Sequence, residues 1–139
     1  MKVKNNKIKV NTIQETDIVD ITENIQNVIS SSGIKNGIAT VFVSGSTASV
    51  STIEFEPNLV EDMKNAMERI VPSNIRYKHT ETWGDNNGKS HVRATLMGPS
   101  VTIPFENGKL MLGTWQNIVI LDFDTKARER EIIVTVIGD

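Results

Sequence analysis

An α+β domain, with a largely antiparallel sheet and two amphipathic helices covering one of its faces, is the fold class this sequence predicts. Three observations lead there. The elements run strand, helix, two strands, helix, then a series of strands. The two helical segments each carry a single apolar stripe at helical spacing. The closing strands follow one another through short turns with no helices between them, which disfavours a doubly wound parallel sheet.

Residues 7–10 alternate as a short opening strand. Thr16 and Asp17 then offer a cap for a helix whose apolar face is Ile18, Ile21, Ile25, Val28 and Ile29, with Gly33 as its stop. Residues 38–43 are β-branched and aromatic and read as a strand, which ends in the hydroxyl-rich run at 44–49; residues 50–55 read as the next strand. Pro57 suits the first turn of a second helix, with Leu59, Met63, Ala66, Met67 and Ile70 on one face and Pro72 beyond its end. Residues 77–90 are polar and punctuated by Gly84 and Gly88, predicting a long loop. Strands follow at 91–97, 100–105, 109–112, 117–123 and 131–137, with a hairpin turn at Asn107-Gly108. The last strand is apolar on both sides, so a sheet covered on only one face would need a partner, and an oligomer is expected.

At 139 residues the chain is the size of one domain, and residues 1–139 are read as a single unit with no linker or repeat. Apolar residues at 38% and charged residues at 23% suit a packed core rather than a disordered chain. With 15 Lys and Arg against 17 Asp and Glu, there is no electrostatic footprint for nucleic acid or an anionic membrane. The absence of Cys excludes disulfides, thiolate metal sites and a Cys nucleophile. No apolar run reaches membrane-spanning length and the opening residues lack the apolar stretch of a signal peptide, so a cytoplasmic protein is expected.

The only two histidines, His79 and His91, bracket Asp85 in the polar segment, with Arg93 beside the second. Imidazoles at the edge of a polar loop serve as general acid or base near neutral pH, as metal ligands, or simply as exposed loop residues; the spacing matches no compact metal motif. Glu54, Asp85 and Asn86 are the nearest residues that would complete a ligand set. The segment Ser44-Gly45-Ser46-Thr47-Ala48-Ser49 either cradles a phosphate or carboxylate with its N–H and hydroxyl groups or is a tight turn; it lacks the Lys of a P-loop. Trp115 sits in a strand-to-strand crossing, where an indole stacks on a flat ligand or caps a core. Arg128-Glu129-Arg130-Glu131 reads as a solvated strand entry, with a neighbouring subunit as the other destination for its arginines.

The runs Asp85-Asn86, Ser90-His91-Val92-Arg93-Ala94-Thr95-Leu96-Met97-Gly98-Pro99-Ser100-Val101-Thr102-Ile103-Pro104, Asn107-Gly108-Lys109-Leu110, Leu112-Gly113-Thr114-Trp115-Gln116 and Val134-Thr135-Val136-Ile137-Gly138-Asp139 closely resemble the YjbQ family of secondary thiamine-phosphate synthases. The resemblance covers nearly the whole chain. It implies a sandwich-like α+β domain assembled as a homotrimer. It also implies a weak transferase activity that joins a pyrimidine diphosphate to a thiazole phosphate with release of pyrophosphate. Carried over by position, His91, His79, Asp85 and Glu54 would be catalytic. Asn86, Arg93 and Trp115 would bind substrate, and Ser46 and Thr47 would hold an anion. Many family members carry His-Thr-Thr-Ala-Gly where this chain has Gly45-Ser46-Thr47-Ala48-Ser49, so a three-His metal site is not available. His79 and His91 remain as ligands for a divalent ion, magnesium or zinc, together with Glu54 or Asp85. Two other readings stand beside the transferase: a non-catalytic trimeric binding protein for an anionic or phosphorylated metabolite, and a metal-dependent phosphate-ester hydrolase.

Overall fold

A computed structural model describes all 139 residues. The chain folds as β1 (Lys2–Asn11), β2 (Asp17–Asp20), α1 (Thr22–Ser32), β3 (Gly37–Ser44), β4 (Ala48–Ile53), α2 (Pro57–Ile70), α3 (His79–Trp83), α4 (Gly88–Met97), β5 (Ser100–Glu106), β6 (Lys109–Leu110), β7 (Asn117–Asp122) and β8 (Glu129–Gly138). Every strand pair is antiparallel. One sheet has the order β1-β8-β3-β5-β6 and the other β2-β7-β4.

The two sheets enclose the main core. Val41 and Val43 of β3, Ile132, Val134 and Val136 of β8, and Ile103 and Phe105 of β5 meet Val50 of β4 and Ile118 and Ile120 of β7, while Ile25 and Ile29 of α1 close one side. A second core lies on the other face of the smaller sheet, where Val119 and Leu121 of β7, with Phe123 just beyond it, pack against Met67 of α2 and Ala94 of α4. The molecule is therefore layered as large sheet, small sheet, helices, with α1 at the flank. The predicted antiparallel α+β class is observed. Of the two helices expected to cover a sheet face, α2 does so, joined by α4, while α1 closes the side of the main core instead. The strand buried on both faces is β7; in β8, Ile133 and Ile137 alternate with the buried residues and are only partly covered.

Three segments differ from the sequence reading, one of them the polar stretch 77–90, which holds α3 and the start of α4. Residues 91–97 belong to α4, a helix and not a strand. Its buried residues are Gly88, Ser90, Arg93 and Ala94, and Met97 packs on the second core, a helical spacing that Val92 and Leu96 conceal because both face solvent. Residues 17–20 form β2, so α1 starts later than Thr16 and Asp17 would place it. Asp20 holds that start, its Oδ1 accepting from Thr22 N at 2.9 Å and Thr22 Oγ1 at 2.6 Å; Thr22 Oγ1 in turn accepts from Ile118 N at 2.9 Å. The α2 start is as predicted, with Pro57 in the first turn and Glu56 accepting from Asn58 N and Leu59 N. The Asn107-Gly108 turn has φ of 53° and 75°, the doubly positive geometry of a tight hairpin.

Arg93 fastens α4 to the end of α2. Its side chain is 2% exposed, and its Nε and Nη2 donate to Val71 O at 3.1 and 2.7 Å, with Nη2 also 3.0 Å from Glu68 Oε2. Glu68 is held at a pKa of about 2 against an ordinary 4.5, first by hydrogen bonds from Ser73 N and Oγ, then by Arg93. Its contribution to stability is therefore complete above about pH 4.5 and is lost as pH falls through about 2. Arg93→Ala should cost about 3 kcal/mol in urea denaturation, because it strips a buried carbonyl and a carboxylate of their partner. Glu68→Gln should flatten the acid limb of the stability profile between those two pH values, and an unaltered limb would assign it to other carboxylates.

Candidate functional site

The chemistry-bearing residues gather where α4 lies over the β3–β4 turn. Ser49 Oγ donates to Ala94 O at 2.9 Å, Val43 N to Pro99 O at 3.0 Å and Val50 N to Gly98 O at 3.3 Å, so the end of α4 is stitched to both strands. This places His91 over residues 45 and 46. Gly45, Ser46, Ala48, His91, Ala94, Thr95 and Pro99 line a cleft of about 330 Å³.

At its rim the ring of His91 faces that of His79 with centroids 4.7 Å apart and planes inclined at 57°. Asp85 Oδ1 lies 3.6 Å from His79 Nε2, an ion-pair distance rather than a tight hydrogen bond. With its amide turned so that nitrogen faces the carboxylate, Asn87 donates to Asp85 at 3.0 and 3.3 Å. Gly88 makes the arrangement possible. A Cβ there would fall 2.6 Å from Tyr77 Cβ and 3.2 Å from His79 Cβ, so only glycine lets α3 sit against the start of α4. The polar segment predicted as a loop is thus α3, a turn with exposed Asn86, and the first turn of α4. A carboxylate behind one imidazole and a second imidazole beside it can accept and hand on one proton.

The remaining sequence candidates separate from this cluster. Arg93 points into the interior between α4 and α2, so it does not reach the cleft; it is a structural tie and not an anion ligand. Thr47 is buried and occupied, donating to Asp124 Oδ2 at 3.2 Å and accepting from Arg130 Nη2 at 2.6 Å, which removes it from ligand binding. Ser46 is exposed on the cleft wall. Glu54 lies just past the far end of β4, roughly 20 Å along the strand direction from Ala48. Trp115, 72% exposed in the β6–β7 connection, neighbours that same far end, where Gln116 Nε2 donates to Thr52 Oγ1 at 3.2 Å. Neither residue lines the cleft within one chain. No three side chains among His, Asp and Glu converge closely enough to hold a metal ion, so His79, His91 and Asp85 do not amount to a ligand set, and no step is assigned to magnesium or zinc.

The sequence reading missed Arg130. Far from being a solvated strand entry, its side chain is only 8% exposed and pairs with Asp122 in two bonds, Nε–Oδ2 at 2.8 Å and Nη2–Oδ1 at 2.7 Å. Asp124 Oδ2 accepts from Arg128 Nε at 2.7 Å. Burial alone would raise the Asp124 carboxyl, but the hydrogen bonds from Arg128 and Thr125 N, with the Arg128 charge, hold it below its ordinary value. The available signal was two arginines, Arg128 and Arg130, following closely on Asp122 and Asp124, opposite charges set across one short connection between strands. A larger hollow, about 590 Å³, lies between α1 and the β5–β6 turn, but His and carboxylate groups do not line it.

Gly88→Ala should move α3 away from α4, abolishing the close contact between the His79 and His91 ring protons in nuclear Overhauser spectra and lowering the melting temperature by several degrees. An unchanged ring contact would show that residue 88 does not set the separation.

The family described as UPF0047 protein YjbQ-like matches residues 6–139. A UPF0047 protein of Methanothermobacter thermautotrophicus is 39% identical over 138 residues, covering 99% of this chain and 94% of the relative. One of Archaeoglobus fulgidus is 38% identical over 128 residues, covering 92% and 97%. The crystal structure of a YbjQ-like protein of Sulfolobus solfataricus P2 superposes with a TM-score of 0.94 at 36% identity, over 99% of both chains. A member of the same family from Clostridium acetobutylicum gives 0.87 at 34% identity, over 95% of this chain and 99% of that one. Sequence and fold agree along the whole chain, and the protein belongs to the YjbQ/UPF0047 family.

Proposed function

We propose that the cleft under His91 binds a small phosphorylated molecule and that the protein is a weak transferase of the secondary thiamine-phosphate synthase kind. In that reaction a thiazole nitrogen attacks the methylene carbon of a pyrimidine diphosphate; the C–N bond forms as the C–O bond breaks, and pyrophosphate leaves with the electron pair. The observation that carries the reading is the facing pair His79 and His91, 4.7 Å apart, at the rim of a cleft walled by Ser46. His91, which lines the cleft, donates a proton to the departing pyrophosphate oxygen. His79, backed by Asp85, supplies the next proton. The Ser46 hydroxyl on the cleft wall is positioned to hold substrate oxygens, and Asn86 stands exposed in the turn before α4. The same reading takes the protein as cytoplasmic, and no helix is long and apolar enough to cross a membrane.

A second reading, a non-catalytic binding protein for the same class of metabolite, is favoured by Gly45, which leaves the cleft wall without a side chain where many relatives of the resembled family have His. Thiamine-phosphate synthase turnover by purified protein should survive chelator and fall by roughly 10² or more in His91→Ala. Turnover unchanged by that substitution would remove the role of His91. Saturable metabolite binding by calorimetry with no product would select the binding protein instead.

The chain is further proposed to act as a homotrimer. On the outer face of the large sheet, Ile38 and Phe42, 42% and 39% exposed, stand opposite Ile137 and Ile133 of β8, with Val3 of β1 opposite Ile137 on its other side. These apolar groups flank the paired Thr40 and Thr135 on the same face, and they are the surface that subunits would cover. Light scattering at micromolar concentration should report three times the chain mass, and Phe42→Asp should return the folded monomer. A monomeric mass for the unaltered protein would refute the assembly.

A further inference from the structure

We infer that Arg130 is the donor of an anion subsite reached through Gly45, and that the group it takes is the terminal phosphate of a small ligand. This inference rests on the cleft being a ligand site, as proposed above. Arg130 spends Nε and Nη2 on Asp122 and Thr47, while Nη1 makes no hydrogen bond within the chain. That nitrogen lies directly behind a residue of the cleft wall, since a Cβ built on Gly45 would stand 2.9 Å from it. Gly45 has φ of 143°, a conformation L side chains rarely adopt, and no side chain of residue 45 fills the space against the guanidinium.

The geometry selects the ligand. A guanidinium nitrogen donates and never accepts, so the incoming atom is an acceptor oxygen. The two bonds to Asp122 keep the guanidinium plane from turning, and a pinned donor loses little freedom when an anion arrives. Asp122 and Asp124 are balanced by Arg130 and Arg128, with Arg130 Nη2 4.0 Å from Asp124 Oδ2, so the cluster carries no net charge. Attraction there is therefore directional, through Nη1 with Ser46 beside it, and a phosphate with several acceptor oxygens can meet these donors together, whereas a small carboxylate has fewer. His91 lines the same cleft, which sets the phosphate within reach of the proposed proton donor.

The test is titration of the ¹⁵N-labelled protein with inorganic pyrophosphate, orthophosphate and acetate, following backbone amides and the Arg130 Nε–H signal. Pyrophosphate should shift Gly45, Ser46 and Arg130 together and saturably, with acetate much weaker. Gly45→Ala, confirmed as folded by its spectrum, should weaken pyrophosphate at least roughly tenfold by covering Nη1. Absence of a saturable response at Arg130 in the unaltered protein, equal binding of acetate, or undiminished affinity in folded Gly45→Ala would each overturn the inference. If Gly45→Ala does not fold, the response of the unaltered protein decides alone. Pyrophosphate binding at Arg130 without thiamine-phosphate formation leaves the subsite standing and removes the transferase. Turnover with a silent Arg130 does the reverse.

Discussion

Strand β7 is buried on both faces, and the layering of the molecule depends on it. Ile118 and Ile120 enter the core between the two sheets, while Val119 and Leu121, followed by Phe123, enter the core under the helices, all at 2% exposure or less. A strand flanked by β2 and β4 and covered above and below has neither a free edge nor a wet face. Its backbone is thereby a fixed reference for three layers, and α1, α2 and α4 all take their positions from side chains that pack on or beside it.

The end of β7 then sets the chemistry below the cleft. Asp122 is fully buried because it ends a strand that has no solvent-facing side, and a buried carboxylate demands partners. Arg130 meets it from β8 and Thr12 Oγ1 from the end of β1 at 2.7 Å, while Thr47 and Arg128 meet Asp124. The turn between β3 and β4 is anchored into this network through Thr47, whose carbonyl also accepts from Phe123 N at 2.9 Å. Residues 45 and 46 are left as the exposed lip of a rigid polar platform. The cleft is thus shaped from beneath by a charge network and from above by α4.

The upper wall has a different physical origin. Arg93 holds the inner side of α4, and Gly88 admits α3 close enough for His79 to face His91. The imidazole pair is a product of helix packing, and Arg93, two residues from His91, serves that packing from the opposite side of the helix. Neighbours in sequence on a helix diverge in space, which separates their roles.

The antiparallel α+β class, the apolar strands, the Pro57 start of α2 and the Asn107-Gly108 hairpin were legible in the sequence because each rests on local periodicity or turn chemistry. The resemblance that led to the family was legible for the same reason, being carried by contiguous runs. What local pattern could not decide was where a short amphipathic segment ends up. Residues 91–97 suit a strand or a helix equally until one knows that Ala94 and Met97 must meet the outer face of β7. Nor could it tell a free arginine from a committed one. Arg93 looked available and is spent on Val71 O, while Arg130 looked solvated and lies against Asp122. The sequence by itself determined most of the strands, the start of α2, the hairpin turn at Asn107-Gly108 and which residue types stand near the two histidines along the chain. Only the tertiary structure decided which of those residues share the cleft, because burial and hydrogen-bond partners arise from contacts between segments distant in the chain.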